Sequence, residues 1–321
     1  MDSTKTIVKT LAGHNTGTAA WATNVANERG QILMNVLTAS EGVGLQPMAA
    51  GLMKRYLNAG VPPRKVLYVD CDCCGDGSVK TKYLFSQWSE MVISLNIWHF
   101  MRHIAVGCTT ESHPMYAIFL GRLSKCIFER SQEAVQLLNY AKHCELTRSG
   151  VKDPSDEDVI KHISKKELAP HCCRKTRGIK DTTQLIHDLL DTFQGEQGCD
   201  TLGVPLLDAD RIWDIWQSQK KHITCIQDPD EVQLYTKTGV VTKGGVELPV
   251  YRCARGSTSL GSFHLHYNRF IPGTCTVNLI LIQFYWNYCI DINRLLYNLQ
   301  SIFLSTLTLA SRNQCLKMHI Y

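Results

Sequence analysis

The chain has 321 residues, with 34 Lys+Arg against 29 Asp+Glu, a net charge of +5, 44% hydrophobic and 20% charged residues. Such a composition excludes an intrinsically disordered chain and suits two domains, or one domain carrying a large insertion. The small positive excess permits a nucleic-acid partner without implying one, and the 14 cysteines follow an opening, "MDSTKTIVKTLAG", that has no apolar signal segment. They are therefore expected to be free thiols in a reducing compartment, nuclear or cytoplasmic and not secreted.

In chain order, the alternation predicts two strands, about Thr18 to Val25 and Gln31 to Thr38, joined by a polar turn at Asn27 to Gly30. "LQPMAAGLMKRYLNAG" has helical spacing, with Pro47 near its start and Gly60 just past its end. "KVLYVD" reads as a buried strand ending at Asp70. Next come a helix from Lys80, a strand "MVISLNIW", and helices around Phe100 to Ala105 and Met115 to Leu138. This order indicates an α/β fold with a mixed sheet flanked by helices.

From residue 146 to 230 the chain turns charge-rich, with periodic segments near Asp156 to Leu168, Thr182 to Phe193 and Asp208 to Lys220 and no convincing strand, so a helical insertion is expected. Residues 231–275 return to strand-like alternation and to the core that residues 1–145 begin. Residues 276–321 form an atypical apolar tail. The uncharged window Phe270 to Ile290 is as long as a membrane span, but Pro272, Asn278, Gln283 and Asn287 are costly at bilayer depth, so a membrane is not the expected partner.

Three groups of residues have chemical potential. Asp70 and Asp72, at the end of a buried strand and expected on one face, are suited to Mg²⁺ or Mn²⁺, because hard cations take oxygen ligands on a rigid frame; the bland alternative is a solvated turn. His99 and His103 stand at i and i+4 on a helix, and with Cys71, Cys73 and Cys74 they offer a minority zinc reading, without any paired CxxC spacing. Lys165, Lys166, Arg174, Lys175, Arg177 and Lys180 make the densest positive segment, suited to phosphate contacts or simply a solvated face. No nucleophile elbow, P-loop or dinucleotide fingerprint is present.

Four blocks, "MDSTKTIVKTLAG", "GLMKRYLNAGVPPRKVLYVDCDCCG", "LNIWHFMRHIAVG" and "GSTSLGSFHLHYNRFIPGT", together resemble the core of a eukaryotic DDE-type, Mutator-like transposase with an RNase H-like fold. The resemblance covers residue 2 to about Thr274. It implies a catalytic and metal-binding Asp at Asp2 on a shortened first strand, a second at Asp70 with Asp72 as a close alternative, and the motif histidine at His99. It also implies acids where this chain has Asn96 and Gly261. Strand cleavage of this kind uses two cations held by three carboxylates, so the resemblance implies a degenerate site. The expected function is that of a transposase-derived protein, catalytically inactive, binding DNA through the basic segment and able to self-associate, with no small-molecule substrate. The alternatives are an active Mg²⁺- or Mn²⁺-dependent DNA nuclease or transposase, and a decayed element product with no function.

Overall fold

The computed structural model describes residues 1–4, 21–38, 40, 42–74, 80–256 and 260–264. The chain divides into two units: Met1–Asp2 with Leu45–Ser259, and Ser3–Gly44 with Leu260–Tyr321. The expected apolar tail, including the span-length window, lies outside the described residues. Among the described residues no helix is long and apolar enough to cross a membrane.

Strands β1 (Asp2–Thr4), β2 (Trp21–Ala26) and β3 (Ile32–Thr38) form a three-stranded sheet in that order. The β2–β3 hairpin is antiparallel, with Trp21 opposite Thr38. Its turn is set by Asn27, whose Oδ1 accepts from the backbone N–H of Arg29 and Gln31, both at 3.0 Å. Gly30 supplies the left-handed residue there (φ 79°). Within this second unit, Asn24 bonds His264, in helical residues 260–264, at 2.7 Å and accepts from Asn35 at 2.6 Å.

In the first unit, α1 (Gln46–Asn58) starts with Pro47 in its first turn, ends before Gly60 and buries Met48, Ala49, Leu52 and Met53 along one face. Strand β4 (Val66–Val69), helix α2 (Lys80–Leu84) and β5 (Val92–Leu95) make a parallel crossover, Val66 facing Val92 and Val69 facing Leu95. The strand expected to run to Trp98 stops at Leu95, because Asn96 turns extended and caps α3 (Ile97–Ala105), its side chain accepting from Trp98 N.

Helix α4 (Tyr116–Ile127) is also shorter than expected. β6 (Phe128–Arg130) interrupts it before α5 (Gln132–Arg148), and β6 pairs antiparallel with β7 (Arg174–Thr176). β7 falls inside the segment expected to lack strands. The other regular elements of that segment are helical: α6 (Asp156–His162), α7 (Lys165–His171), α8 (Ile179–Gln194), α9 (Ala209–Lys220) and two 3-10 turns, Glu196–Gly198 and Lys221–Ile226. α6 and α7 each begin with a capping box, Ser155 with Asp158 and Ser164 with Glu167. β8 (Tyr235–Lys243) and β9 (Val246–Cys253) close a hairpin through Gly244 and Gly245, both at positive φ as a two-residue primed turn requires.

Among the described residues the strands thus lie in small sheets, not one continuous mixed sheet, and the protein is mixed α/β. The main core joins Val69, Leu95, Phe100, Ile104, Phe119 and Leu123 to Ile186, Leu190, Phe193, Ile212, Trp216 and Ile223. Helices α8 and α9 therefore complete the core of β4, β5, α3 and α4.

Two polar joints hold other segments. Arg255, 6% exposed, reaches Asp228 with Nε to Oδ1 at 2.7 Å and Nη2 to Oδ2 at 2.6 Å, while Oδ2 also accepts from Thr176 N at 3.0 Å. Its Nη1 donates to Tyr235 Oη at 3.3 Å and its Nη2 to Arg174 O at 3.0 Å, and its plane lies over Phe128. Glu167 accepts from Lys142 at 2.7 Å, from Lys243, and from Ser164. Although partial burial pushes the Glu167 carboxyl up, these donors hold it well below the usual carboxylate range.

Candidate metal centre

Backbone hydrogen bonds carry three distant residues to one point. The amino group of Met1 donates to Tyr68 O at 2.6 Å, setting Asp2 beside the end of β4, where Asp70 follows Val69. Asn96 N donates to Val69 O at 2.8 Å, so α3 begins next to that same strand end and its first turn presents His99. One ligand atom from each of Asp2, Asp70 and His99 lies within 4.8 Å of the others, and His99 Nε2 is 3.0 Å from Asp70 Oδ1. Asp70 Oδ1 is a buried atom, and the His99 ring is the group that faces it. Burial alone would raise the Asp70 carboxyl, but the His99 imidazole and the Asp2 carboxyl beside it outweigh burial and hold it below its ordinary value. Trp98, 57% exposed, stands edge-on to the His99 ring at 4.8 Å between centroids, with the Arg102 guanidinium over its face.

Asp72 does not join Asp70. The alternation that would place them on one face ends with β4 at Val69; Asp72 takes a left-handed conformation (φ 59°) and its Oδ2 accepts from Thr81 N at 2.7 Å and Thr81 Oγ1 at 2.9 Å. It fixes the start of α2. Asn96 contributes a buried neutral amide spent on capping α3. Gly261, in helical residues 260–264 of the second unit, has no side chain to offer.

The zinc set suggested by sequence separates. His99 faces carboxylates, and His103 Nδ1 lies 3.3 Å from Gln219 Oε1. Cys73 and Cys74 instead meet His222 and Cys225 from the 3-10 turn Lys221–Ile226, with one ligand atom from each within 4.8 Å of the others. His222 Nδ1 is 3.2 Å from Cys73 Sγ and 3.1 Å from Cys74 Sγ, and the two sulfurs are 3.9 Å apart. The cysteines are thiols, not disulfides. Hydrogen bonding from Cys73, then from Cys74 and His222, holds the Cys225 thiol down to about 5 against the burial that would raise it. The Cys73 thiol is pushed up by that same bond to Cys225 and by burial. Sequence reasoning missed His222 and Cys225, whose only signal is a single HxxC in "KKHITCIQ".

The basic segment is partly committed within the fold. Lys175 pairs with Glu129 at 2.9 Å, Arg177 with the same carboxylate at 3.5 Å, and Arg174 lies over Phe128 at 4.3 Å. Lys165, Lys166 and Lys180 are exposed. No protein-family model matches the chain, and neither a curated protein nor a solved structure matches it.

Proposed function

We propose that the chain is a transposase-derived, RNase H-like protein that binds a divalent cation at Asp2, Asp70 and His99, does not cleave DNA strands, and contacts DNA phosphates through Lys165, Lys166 and Lys180. The observation that carries this reading is the convergence of Asp2, Asp70 and His99 from three separate segments. The element order β1, β2, β3, α1, β4, α2, β5, α3 supports it too, since it puts Asp2 on the first strand, Asp70 after the fourth and His99 on the helix after the fifth, as the resemblance implies.

Two carboxylates with an imidazole, one carboxylate oxygen being buried against that ring, fit a small divalent cation. The imidazole favours Mn²⁺ over Mg²⁺. Two-cation strand cleavage requires carboxylates to hold both ions, and Asn96 and Gly261 supply none. Mn²⁺ titration followed by calorimetry is expected to show binding that Asp70→Asn abolishes. Labelled duplex DNA with Mg²⁺ or Mn²⁺ is expected to remain intact; nicking that Asp70→Ala removes overturns the inactive reading. Replacing Lys165, Lys166 and Lys180 with Ala is expected to weaken DNA binding and flatten its salt dependence. Salt-insensitive binding removes that part.

A further inference from the structure

We propose that Cys73, Cys74, His222 and Cys225 form a tetrahedral Zn²⁺ site, structural in character, that clamps the segment after β4 to the 3-10 turn Lys221–Ile226. This assignment is independent of the cation at Asp2, Asp70 and His99.

The argument is geometric. Zinc bound at about 2.3 Å from each sulfur and about 2.0 Å from a ring nitrogen sets tetrahedral edges of roughly 3.8 Å for S···S and roughly 3.6 Å for S···N. The Cys73 to Cys74 separation of 3.9 Å matches the first edge. The S···N distances of 3.2 and 3.1 Å are hydrogen-bond lengths that need to open by a few tenths of an ångström. With every ligand atom within 4.8 Å of the rest, a central ion reaches all four by small side-chain rotations. Three sulfurs and one imidazole nitrogen fill a structural zinc shell and leave no open position for water, so the site has no catalytic vacancy.

The chemistry of the donors selects the ion. Thiolates prefer zinc to magnesium or manganese, which keeps the two centres distinct although Asp70 and Cys73 are three residues apart. The fold gives the cluster a purpose. Its two halves are separated by 149 residues, as in the Cys73 to His222 pair, and the turn carrying His222 and Cys225 also buries Ile223 and Ile226 in the main core. A metal here closes a loop of that length and fixes the chain immediately after Asp70.

The test uses the full chain, expressed in zinc-supplemented medium and analysed for metal by mass spectrometry. One equivalent of zinc is expected. Cys225→Ala and His222→Ala are each expected to lose it, whereas Cys225→His, which restores a four-ligand set, is expected to keep it. Cobalt exchanged into the wild-type chain is expected to show the intense visible bands of tetrahedral thiolate coordination, and chelation is expected to lower Tm by roughly 10 °C or more. If Cys225→Ala fails to fold, the cobalt spectra of the wild type and Cys225→His decide. Absence of metal from the wild type, zinc retained by both alanine variants, or an octahedral cobalt spectrum overturns the assignment.

Discussion

The Asp228–Arg255 joint and the end of β4 both gather polar side chains from segments far apart in sequence, yet they finish differently. In the joint, both Asp228 oxygens and all three Arg255 nitrogens have partners. At the end of β4, the buried Asp70 Oδ1 and the Asp2 carboxylate crowd around the one His99 ring, and nearby thiols are drawn onto one imidazole. A cluster in which carboxylate and guanidinium match each other is explained by the fold alone, while carboxylates or thiols gathered around a single imidazole are relieved by a cation.

That contrast can be broken or sharpened by substitution. The largest effect is expected from Arg255→Met, which strands Asp228 and costs about 3–5 kcal/mol in urea unfolding; a loss below about 1 kcal/mol would mean that water reaches the joint. Next, Mn²⁺ at about 100 times its Kd is expected to stabilise the wild type by about 2.7 kcal/mol. Asp70→Asn should gain nothing from the ion, and equal stabilisation of both proteins would place the ion elsewhere.

A smaller effect is expected for Glu167→Gln, about 1–2 kcal/mol near neutral pH. Because the folded chain holds this carboxyl below its unfolded value, its contribution is complete above that unfolded value. It is lost progressively as pH falls below about 4 and Glu167 takes up its proton in the folded chain. The variant and the wild type should therefore converge in stability in acid; a constant gap across pH 2 to 7, on the order of the neutral-pH loss, would show that packing and not charge holds the joint. Least of all, Asp72→Ala should cost about 1 kcal/mol through the lost α2 cap and leave Mn²⁺ affinity unchanged. A fall in affinity would return Asp72 to the site.

How much was legible depended on how local each signal was. The β2–β3 hairpin and α1 are written in neighbouring residues, Asn27 with Gly30 and Pro47 with Gly60, and could be read directly. β6 and β7 are three residues each, too short for any periodicity, and Phe128 pairs with Thr176, 48 positions further along the chain, so pairing alone reveals them. β5 was overrun because Asn96 looks apolar-strand-compatible until its side chain is seen capping α3. In the site, Asp70 could be read from its strand end and His99 from its helix, while Asp2 came from the resemblance alone; the three do meet, whereas Asp72 was misplaced by extending strand alternation past Val69. His222 and Cys225 escaped because spacing rules for zinc look for paired motifs, and here an adjacent Cys pair meets an HxxC through tertiary packing.

The edge-on contact of Trp98 with His99 also makes the carboxylate centre optically addressable. An indole that is largely open to solvent emits at longer wavelength than one in the core, and its emission is sensitive to the charge of an adjacent imidazole. Buried Trp216 and Trp88 provide an internal reference at shorter wavelength. Titrating Mn²⁺, a paramagnetic quencher, should therefore dim the red side of the tryptophan spectrum first, giving the protein a built-in gauge of occupancy that needs no label.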